Sequence, residues 1–310
     1  MPSNQNPLGA LPARFRRQRL LVVGCGDVGL RVLQQLGGRC TVRALTSSAE
    51  RVPQLRAAGV LPLRGNLDAP ASLRRLAGIA TRVLHLAPPP GQGASDPRTA
   101  ALARALARRS PPAALVYGST SGVYGNCAGQ TVTEARSTHP QTDRAWRRVD
   151  AEKRVRFAAR SGAASRASIL RIPGIYAPDR EGGTPRARLL KNTPVLLPQD
   201  DVYTNHIHAD DLARACLAAL WRGKPQRIYN VSDDSALKMG DYFDLAADLY
   251  GLPRPPRLSR STAQQQLPAM LLSFMGESRQ LDNRRMKREL RLRLRYPTVA
   301  TGLLSDSPAP

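Results

Sequence analysis

Three glycines with the spacing Gly-x-Gly-x-x-Gly stand near the start of the chain, at Gly24, Gly26 and Gly29. Glycines in this order allow a tight turn, a close approach of the backbone to a pyrophosphate, and close packing of a helix on a strand. The diphosphate of a dinucleotide would then lie on free N–H groups at the helix N-terminus. The other residues of this turn that we expect to contact a cofactor are Cys25, Asp27 and Val28.

The residues around the three glycines strengthen this interpretation, because the spacing alone is a weak signal. Residues 20–23 are apolar and predict a strand that leads into the turn. Val28, Val32 and Leu36 then recur at helical spacing, and Gly37 is placed to end that helix. This pattern predicts a strand, turn and helix that bind a nucleotide, and it favours this over a purely structural turn.

The residues at the end of the second predicted strand, 41–45, indicate which dinucleotide binds. A carboxylate about 20 residues after the glycine turn would bind a ribose 2′-hydroxyl and favour NAD. This chain has no carboxylate there before Glu50. Thr46 and Ser47 could donate hydrogen bonds to a 2′-phosphate, and a nearby arginine could neutralise it. That cation would be Arg43 or Arg51, so we expect NADP as the cofactor, with NAD as the alternative.

Strand and helix signals alternate through the first two thirds of the chain. Apolar runs at 41–45, 59–63, 83–87 and 114–117 predict further strands, with helical patterns between them. Such alternation predicts an α/β fold, a doubly wound parallel sheet (Rossmann fold) with helices on both faces. Ligands of such sheets bind beyond the carboxyl ends of the strands. Other candidate cofactor-binding residues at that edge are Asn66, Leu67, Ala87 and Pro88.

The alternation loosens after residue 175, which divides the chain into a nucleotide-binding domain, a smaller C-terminal substrate lobe and two tails. We expect the nucleotide-binding domain to span residues 19–178 and to receive about 206–235, the lobe to comprise 179–205 and 236–303, and the tails to be 1–18 and 304–310. The first tail contains proline and is expected to be poorly ordered.

The net charge of +24 raises the question of a nucleic-acid partner. Arginine is spread along the whole chain, and aromatic residues make up only 5%, so base-stacking platforms are not indicated. The densest basic stretch, residues 284–295, is interpreted as a solvated helix face. A small-molecule substrate is therefore expected rather than nucleic acid, and a homodimer is left open.

Cysteine spacing and hydropathy exclude several other classes of protein. The four cysteines are widely separated, so neither a disulfide framework nor a zinc site is predicted, and no metal is expected. No apolar run is long enough to cross a bilayer, and no membrane partner is expected. A reducing cytoplasm is the simplest location.

Several segments, in order, resemble the extended short-chain dehydrogenase/reductase superfamily, specifically its NAD-dependent epimerase/dehydratase group. They are the glycine turn and residues 117–125, 169–178, 205–212 and 229–232. The resemblance implies that Thr120, four residues before Tyr124, occupies the place of the catalytic Ser or Thr. It also implies that Pro173 lies on the strand closing over the nicotinamide, and that Asn66 stands where an adenine-contacting Asp is frequent.

The chain departs from that family at its acid/base pair. Family enzymes use Tyr-x-x-x-Lys followed four residues later by Glu. Counting back from Glu152 puts Arg148 at the Lys position and Arg144 at the Tyr position. Arg148 could still hold the ribose, whereas Arg144 cannot replace Tyr, because a guanidinium stays protonated. This matches an atypical branch of the family that keeps the fold and lacks the usual active-site residues.

Two functional hypotheses follow from this departure. The first is an NADP-dependent oxidoreductase that moves a hydride between nicotinamide and a carbonyl or alcohol carbon, with Thr120 polarising the oxygen. The second is a non-catalytic NADP-binding sensor or scaffold, in which Thr120 only caps the strand end. Residues 206–220 are predicted to be a helix start and helix, and for His206 and His208 at that start a structural hydrogen-bonding role is favoured over catalysis.

Overall fold

The computed structural model describes residues 18–38 and 40–305. The tails expected at 1–18 and 304–310 lie outside these residues, apart from Gln18, Leu304 and Ser305. In chain order the strands are β1 (Arg19–Val23), β2 (Thr41–Thr46), β3 (Leu61–Arg64), β4 (Arg82–His85), β5 (Ala114–Thr120), β6 (Thr131–Val132), β7 (Ala167–Ile172), β8 (Gly174–Tyr176), β9 (Val195–Leu196), β10 (Tyr203–Thr204), β11 (His206–His208), β12 (Arg227–Asn230), β13 (Leu237–Lys238), β14 (Arg257–Leu258) and β15 (Gln280–Leu281).

Helices alternate with these strands. They are α1 (Asp27–Leu36), α2 (Arg51–Ala57), α3 (Pro97–Leu106), α4 (Asp143–Arg160), α5 (Arg186–Leu190), α6 (Ala209–Arg222), α7 (Met239–Tyr250), α8 (Arg260–Gln266), α9 (Ala269–Phe274), α10 (Arg284–Leu290) and α11 (Val299–Leu303). Two 3₁₀ helices, Pro70–Leu76 and Ser121–Tyr124, follow β3 and β5.

Seven strands form the central sheet in the order β12-β7-β5-β4-β1-β2-β3, all parallel. The sequence prediction of a doubly wound parallel sheet is therefore confirmed. Val22 of β1 lies between Ala44 and Leu84 in the register of its neighbours. Because helices cover both faces of such a sheet, its central strands are apolar on both sides, which is the pattern of β1 and β4.

Separate apolar clusters fill the two faces of the sheet and the C-terminal elements. One face packs on α1 and α6 through side chains such as Val32 and Leu212. The other face packs on α3 and α4, with Leu102 and Val155. A third cluster joins α5, α7 and α11 around Phe243. The cleft between the sheet edge and this third cluster is where the candidate site lies.

The largest local difference from the sequence prediction is at residues 206–208. We expected this stretch to begin a helix, but it is a short strand, β11, that pairs in parallel with β8. The helix α6 begins only at Ala209, where the Nδ1 atom of His208 accepts a hydrogen bond from the N–H of Asp210. The neighbouring strand therefore determines the conformation here, which a helical spacing pattern cannot show.

Candidate nucleotide-binding site and adjoining cavity

The glycine turn packs directly against the end of β4. Gly24 has a φ of +87°, and a Cβ built on it would lie 2.3 Å from the backbone nitrogen of Ala87. No side chain can be accommodated at that distance. The N–H of Ala87 donates to the carbonyl of Val23, which closes the contact. Gly24 and Ala87, two residues predicted separately, are thus brought together, with the exposed Pro88 beside them.

Gly26 and Gly29 meet different surroundings on the two sides of the turn. A Cβ on Gly26 would meet no atom within 4 Å, so this position opens to a space outside the protein. A Cβ on Gly29 would meet the Cys25 sulfur at 3.3 Å, where α1 packs on the turn. Burial raises the pKa of the Cys25 thiol to about 11, so it stays neutral. The N–H groups of Asp27 and Val28, in the first turn of α1, have no helical acceptor, as at every helix start.

Arg51 joins the start of α2 to the glycine turn. Its Nη2 atom donates to the backbone carbonyl of Cys25 at 2.6 Å. Ser47, just after β2, is exposed, whereas the Thr46 hydroxyl is buried and bonds within its own turn, to the carbonyl and N–H of Ser48. The Arg51 guanidinium therefore lies at the glycine turn, and the end of β2 offers the exposed hydroxyl of Ser47.

Arg43 is placed away from this group of residues. Its Nη1 atom donates to the carbonyl of Ile79, which precedes β4 at the amino edge of the sheet. Arg43 is three residues from the end of β2, and a strand rises about 3.3 Å per residue, so its backbone is about 10 Å from the carboxyl edge. The structure therefore does not bring Arg43 to the glycine turn, and Arg51 takes the position expected for either arginine.

Asn66 and Leu67 lie beyond the end of β3. Asn66 is exposed, and its side-chain oxygen accepts a hydrogen bond from the N–H of Asp68. Asp68 in turn forms a paired contact with Arg98, whose Nη1 atom also reaches the carbonyl of Pro88. Leu67 packs at the edge of the apolar core. These contacts connect the ends of β3 and β4 on one side of the glycine turn.

Arg148 lies under the end of β5. Its Nη1 atom donates to the hydroxyl of Tyr117 at 3.0 Å and to the carbonyl of Gly118 at 2.8 Å. Arg144, one turn earlier on α4, is exposed. The two arginines that stand at the positions of the missing Tyr-Lys pair therefore differ in environment, since only Arg148 is held at the sheet.

Glu152, which stands four residues after Arg148 and matches the Glu of the family pattern, is buried in a network beneath the same strand. Its carboxylate accepts from both Nε and Nη2 of Arg171 and from the hydroxyl of Ser119. The Arg171 guanidinium carbon lies 4.5 Å from the Tyr124 ring centroid. Sequence reasoning missed this pairing, because its partners come from β5, α4 and β7 and no local spacing links them.

Thr120 ends β5 and caps the 3₁₀ helix that follows. Its Oγ1 atom accepts a hydrogen bond from the N–H of Gly122 at 3.3 Å. The next residue, Ser121, lines the adjoining cavity. The capping contact uses Thr120 as an acceptor, which leaves its hydroxyl proton available to a ligand.

A cavity of about 390 Å³ lies between the sheet edge and the C-terminal cluster. Segments far apart in sequence line it, from the 3₁₀ helix after β5 to the residues that follow α9. Pro173, expected beside the nicotinamide, is one of the lining residues. Others that bear on the chemistry are Ser121, Tyr176, Arg188, His206 and Tyr242.

His206 lies in this cavity in a distinct environment. Its ring is 4.2 Å from the ring of Tyr242, and its Nδ1 atom is buried with no hydrogen-bond partner among the residues described. Burial lowers its pKa to about 4, so the ring is neutral at pH 7. His208 instead caps α6, and Tyr176 donates to the carbonyl of Thr298. His206 is therefore the cavity histidine that protein contacts leave open.

Arg31 connects α1 to two later segments. Its guanidinium contacts Asp27 at 3.1 Å, Asp179 at 2.6 Å and Asp210 at 2.6 Å. Arg180 adds a second contact to Asp27 at 3.6 Å. Because Arg31 is shared with Asp179 and Asp210, the two guanidiniums only partly offset the charge of Asp27 beside the place where an anionic diphosphate would bind.

The sequence profile of the NAD dependent epimerase/dehydratase family matches residues 20–232, more than two thirds of the chain. The chain belongs to this family. The parallel sheet, the glycine turn and the segments quoted for the resemblance all fall within the matched residues. The NAD-dependent family is therefore shown by a match that is independent of the site geometry.

Several solved structures share the fold of this epimerase/dehydratase chain. A conserved protein of unknown function from Silicibacter pomeroyi DSS is 29% identical, with a TM-score of 0.77 over 92% of this chain and 96% of that one. UDP-glucose 4-epimerase from Thermotoga maritima is 19% identical, with a TM-score of 0.74 and the same coverage. UDP-glucuronic acid 4-epimerase from Bacillus cereus, solved with NAD, is 19% identical with a TM-score of 0.72, again at 92% and 96% coverage. No protein among the curated sequences matches.

Two further properties of the described part of this family member concern metals and membranes. No group of three or more His, Cys, Asp or Glu side chains there could hold a metal ion. None of its helices combines the length and apolar character needed to cross a membrane.

Proposed function

We propose that this family member is an NADP-dependent oxidoreductase that transfers a hydride between the nicotinamide and a carbonyl or alcohol carbon of a small molecule. The observation that carries the proposal is the geometry at Gly24 and Gly26. The first leaves no room for a side chain against Ala87, and the second opens to empty space at the start of α1. That is the arrangement a dinucleotide diphosphate needs.

The preference for NADP rests on the charges around the end of β2. The guanidinium of Arg51 is fixed at the glycine turn, and Ser47 is exposed just after β2. A carboxylate that would accept from a ribose 2′-hydroxyl, and repel a 2′-phosphate, is not found at this strand end. A 2′-phosphate would therefore meet a cation and a hydroxyl donor.

NADP, when bound, supplies or accepts the hydride, and the surrounding residues orient the reactants. Arg148, held by Tyr117 and Gly118, would hold the nicotinamide ribose through its remaining N–H groups. Pro173 would border the nicotinamide at the cavity wall. Thr120 would donate its hydroxyl proton as a hydrogen bond to the substrate oxygen, and so stabilise the charge that develops there.

The loss of the Tyr-Lys pair supports a second candidate, a non-catalytic NADP-binding sensor. Arg144 occupies the Tyr position, is exposed, and cannot move a proton at neutral pH. Tyr124 and Tyr176 are buried, and both hydroxyls donate to protein oxygens, those of Asn230 and Thr298. His206, with a pKa of about 4, is rarely an imidazolium at pH 7. A sensor would need the cofactor contacts and none of these groups.

Calorimetric titration of nucleotide-free protein with NADPH and, separately, NADH tests the cofactor. Tight NADPH binding with weak NADH binding is expected. If neither nucleotide binds, the oxidoreductase and sensor proposals both fail. A screen of carbonyl compounds with NADPH then separates them, because steady oxidation of NADPH would exclude the sensor, whereas binding without turnover would support it.

A further inference from the structure

The charges that line the cavity beside Pro173 and His206 do not balance. Glu277 and Arg279 form an ion pair at 2.6 Å, so their charges offset each other. Arg188, on α5, also lines the cavity, and no carboxylate of the described residues forms an ion pair with it. The cavity thus carries one guanidinium in excess.

The buried nitrogen atoms of Arg188 also lack hydrogen-bond partners. Its Nε and Nη2 atoms are buried and make no hydrogen bond to the residues described. Its guanidinium carbon lies 4.3 Å from the ring centroid of Phe243, which packs against the flat face of the group and supplies no acceptor. No acceptor of the described residues therefore meets this N–H edge.

Two buried arginines of this chain, Arg31 and Arg171, have carboxylate partners. Arg31 contacts three carboxylates and Arg171 binds Glu152 through two nitrogens. These contacts raise the pKa of both guanidiniums despite their burial. For Arg188 burial lowers the pKa, and only Tyr242 acts in the opposite direction. A guanidinium nevertheless stays charged, so Arg188 is a partly desolvated cation that the protein itself does not compensate.

We propose that Arg188 anchors an anionic group, a carboxylate or a phosphate, of the substrate that this cavity takes. An anion would satisfy the free N–H edge with charge-assisted, paired hydrogen bonds. The proposal rests on the proposed function and narrows its substrate to small carbonyl or alcohol compounds that carry such a group. Pro173 and Ser121 line the same cavity, so the anchored molecule would lie against the expected nicotinamide side.

Matched probes of equal shape test this proposal. Benzoate, benzamide and inorganic phosphate are titrated at low ionic strength into the full chain, with and without NADPH. Benzoate is expected to bind at least about tenfold more tightly than benzamide, as a charge-assisted contact implies. Tighter binding of phosphate than of benzoate would identify the phosphate as the preferred source of the anion, and the reverse would identify the carboxylate.

Four variants test whether Arg188 holds the anion. Arg188→Gln is expected to abolish the preference for benzoate over benzamide, and Arg188→Lys to keep part of it. Arg186→Gln, on the exposed side of the same helix, is expected to leave it unchanged. Arg188→Met removes the uncompensated cation, and should raise the Tm of the free protein by about 2 °C while anion binding is lost.

Equal binding of benzoate and benzamide by the wild-type protein, with no phosphate binding, would overturn the anion site. So would a Tm that falls in Arg188→Met, since that would assign Arg188 a structural role. If NADPH does not bind, the proposed function is contradicted instead. The titrations of nucleotide-free protein with benzoate, benzamide and phosphate still test the anion site in that case.

Discussion

The Nη2 atom of Arg51 donates a 2.6 Å hydrogen bond to the backbone carbonyl of Cys25, which fixes a cation from α2 against the glycine turn. The bond takes one donor, and the other N–H groups of the guanidinium remain. A cation held in this way is already positioned before a ligand arrives. Less of its side-chain freedom is therefore lost when a phosphate binds.

Arg51 should accordingly decide between the two nucleotides. Arg51→Gln is expected to weaken NADPH binding by about 10- to 100-fold, the effect of losing one charged hydrogen bond, and to change NADH binding little. The measurement is a pair of calorimetric titrations. Arg43→Gln is the control, because Arg43 bonds to Ile79 at the opposite edge. An equal loss for both nucleotides in Arg51→Gln would contradict the assignment.

Substitutions of the first two glycines of the turn are expected to have different effects on stability and on NADPH binding. In Gly24→Ala the new methyl would lie 2.3 Å from the nitrogen of Ala87, at a φ that side chains disfavour, so we expect both a lower Tm and no NADPH binding. In Gly26→Ala the methyl meets no protein atom within 4 Å, so the Tm should be retained while NADPH affinity falls. Thermal unfolding and titration of the two variants provide the comparison. Unchanged NADPH affinity in Gly26→Ala would show that no diphosphate approaches there.

Loss of the Arg31 ion pairs is expected to be among the most destabilising changes to this protein. Arg31→Met leaves the buried carboxylate of Asp210 without its cation, which should lower the free energy of unfolding by about 3–5 kcal/mol. Urea unfolding measures the loss. Arg254→Met, which removes an exposed ion pair with Asp248, should leave the urea midpoint unchanged. A similar midpoint in both variants would show that the Arg31 cluster contributes no net stability.

Stability should have a maximum near pH 6.5. Burial lowers the pKa of His85 to about 3 and of His206 to about 4, and it lowers that of His208 as well. Unfolded histidines take up protons below about pH 6.5, so stability is lost as the pH falls below that value. Burial raises the pKa of Asp233 from 3.8 to about 8, so between these values the folded form keeps a proton that the unfolded form releases, and the contribution of Asp233 to stability falls as the pH rises. Above about pH 6.5 the histidines no longer oppose this effect, so the stability of the protein falls from pH 6.5 to 8.

Calorimetric Tm values at pH 5, 6.5 and 8 check both limbs of this dependence. Asp233→Asn should keep the acid limb and remove the fall between pH 6.5 and 8. A wild-type Tm that rises steadily across the three pH values would contradict the assignment to Asp233.

The parts of this molecule that local pattern determines were predictable, and the parts that depend on distant segments were not. The glycine turn and the strands of the parallel sheet are encoded by neighbouring residues, since the turn needs its glycines and a sheet covered on both faces needs apolar runs. The placement of Arg43 could not be read from its nearness in sequence to Thr46. It depends on how far a strand residue lies from the strand end.

The cavity shows the same limit more clearly. Ser121, His206 and Arg279 line one space although about half of the chain separates the first from the last. Arg279 belongs to the C-terminal lobe that was expected to bind the substrate, but nothing in the sequence distinguishes it from the many other arginines. The unbalanced charge of Arg188 becomes visible only when the partners of every neighbouring arginine are known.

The contact of one guanidinium with Asp27, Asp179 and Asp210 also has a consequence for how this sequence can diverge. Replacement of Arg31 alone would take a cationic partner from three carboxylates at once, whereas replacement of a single aspartate would leave the other two ion pairs in place. Drift at these four positions is therefore unequal, and the arginine has to be the last of them to change. Among homologues that keep this fold, Arg31 should vary only where its acidic partners have already been replaced.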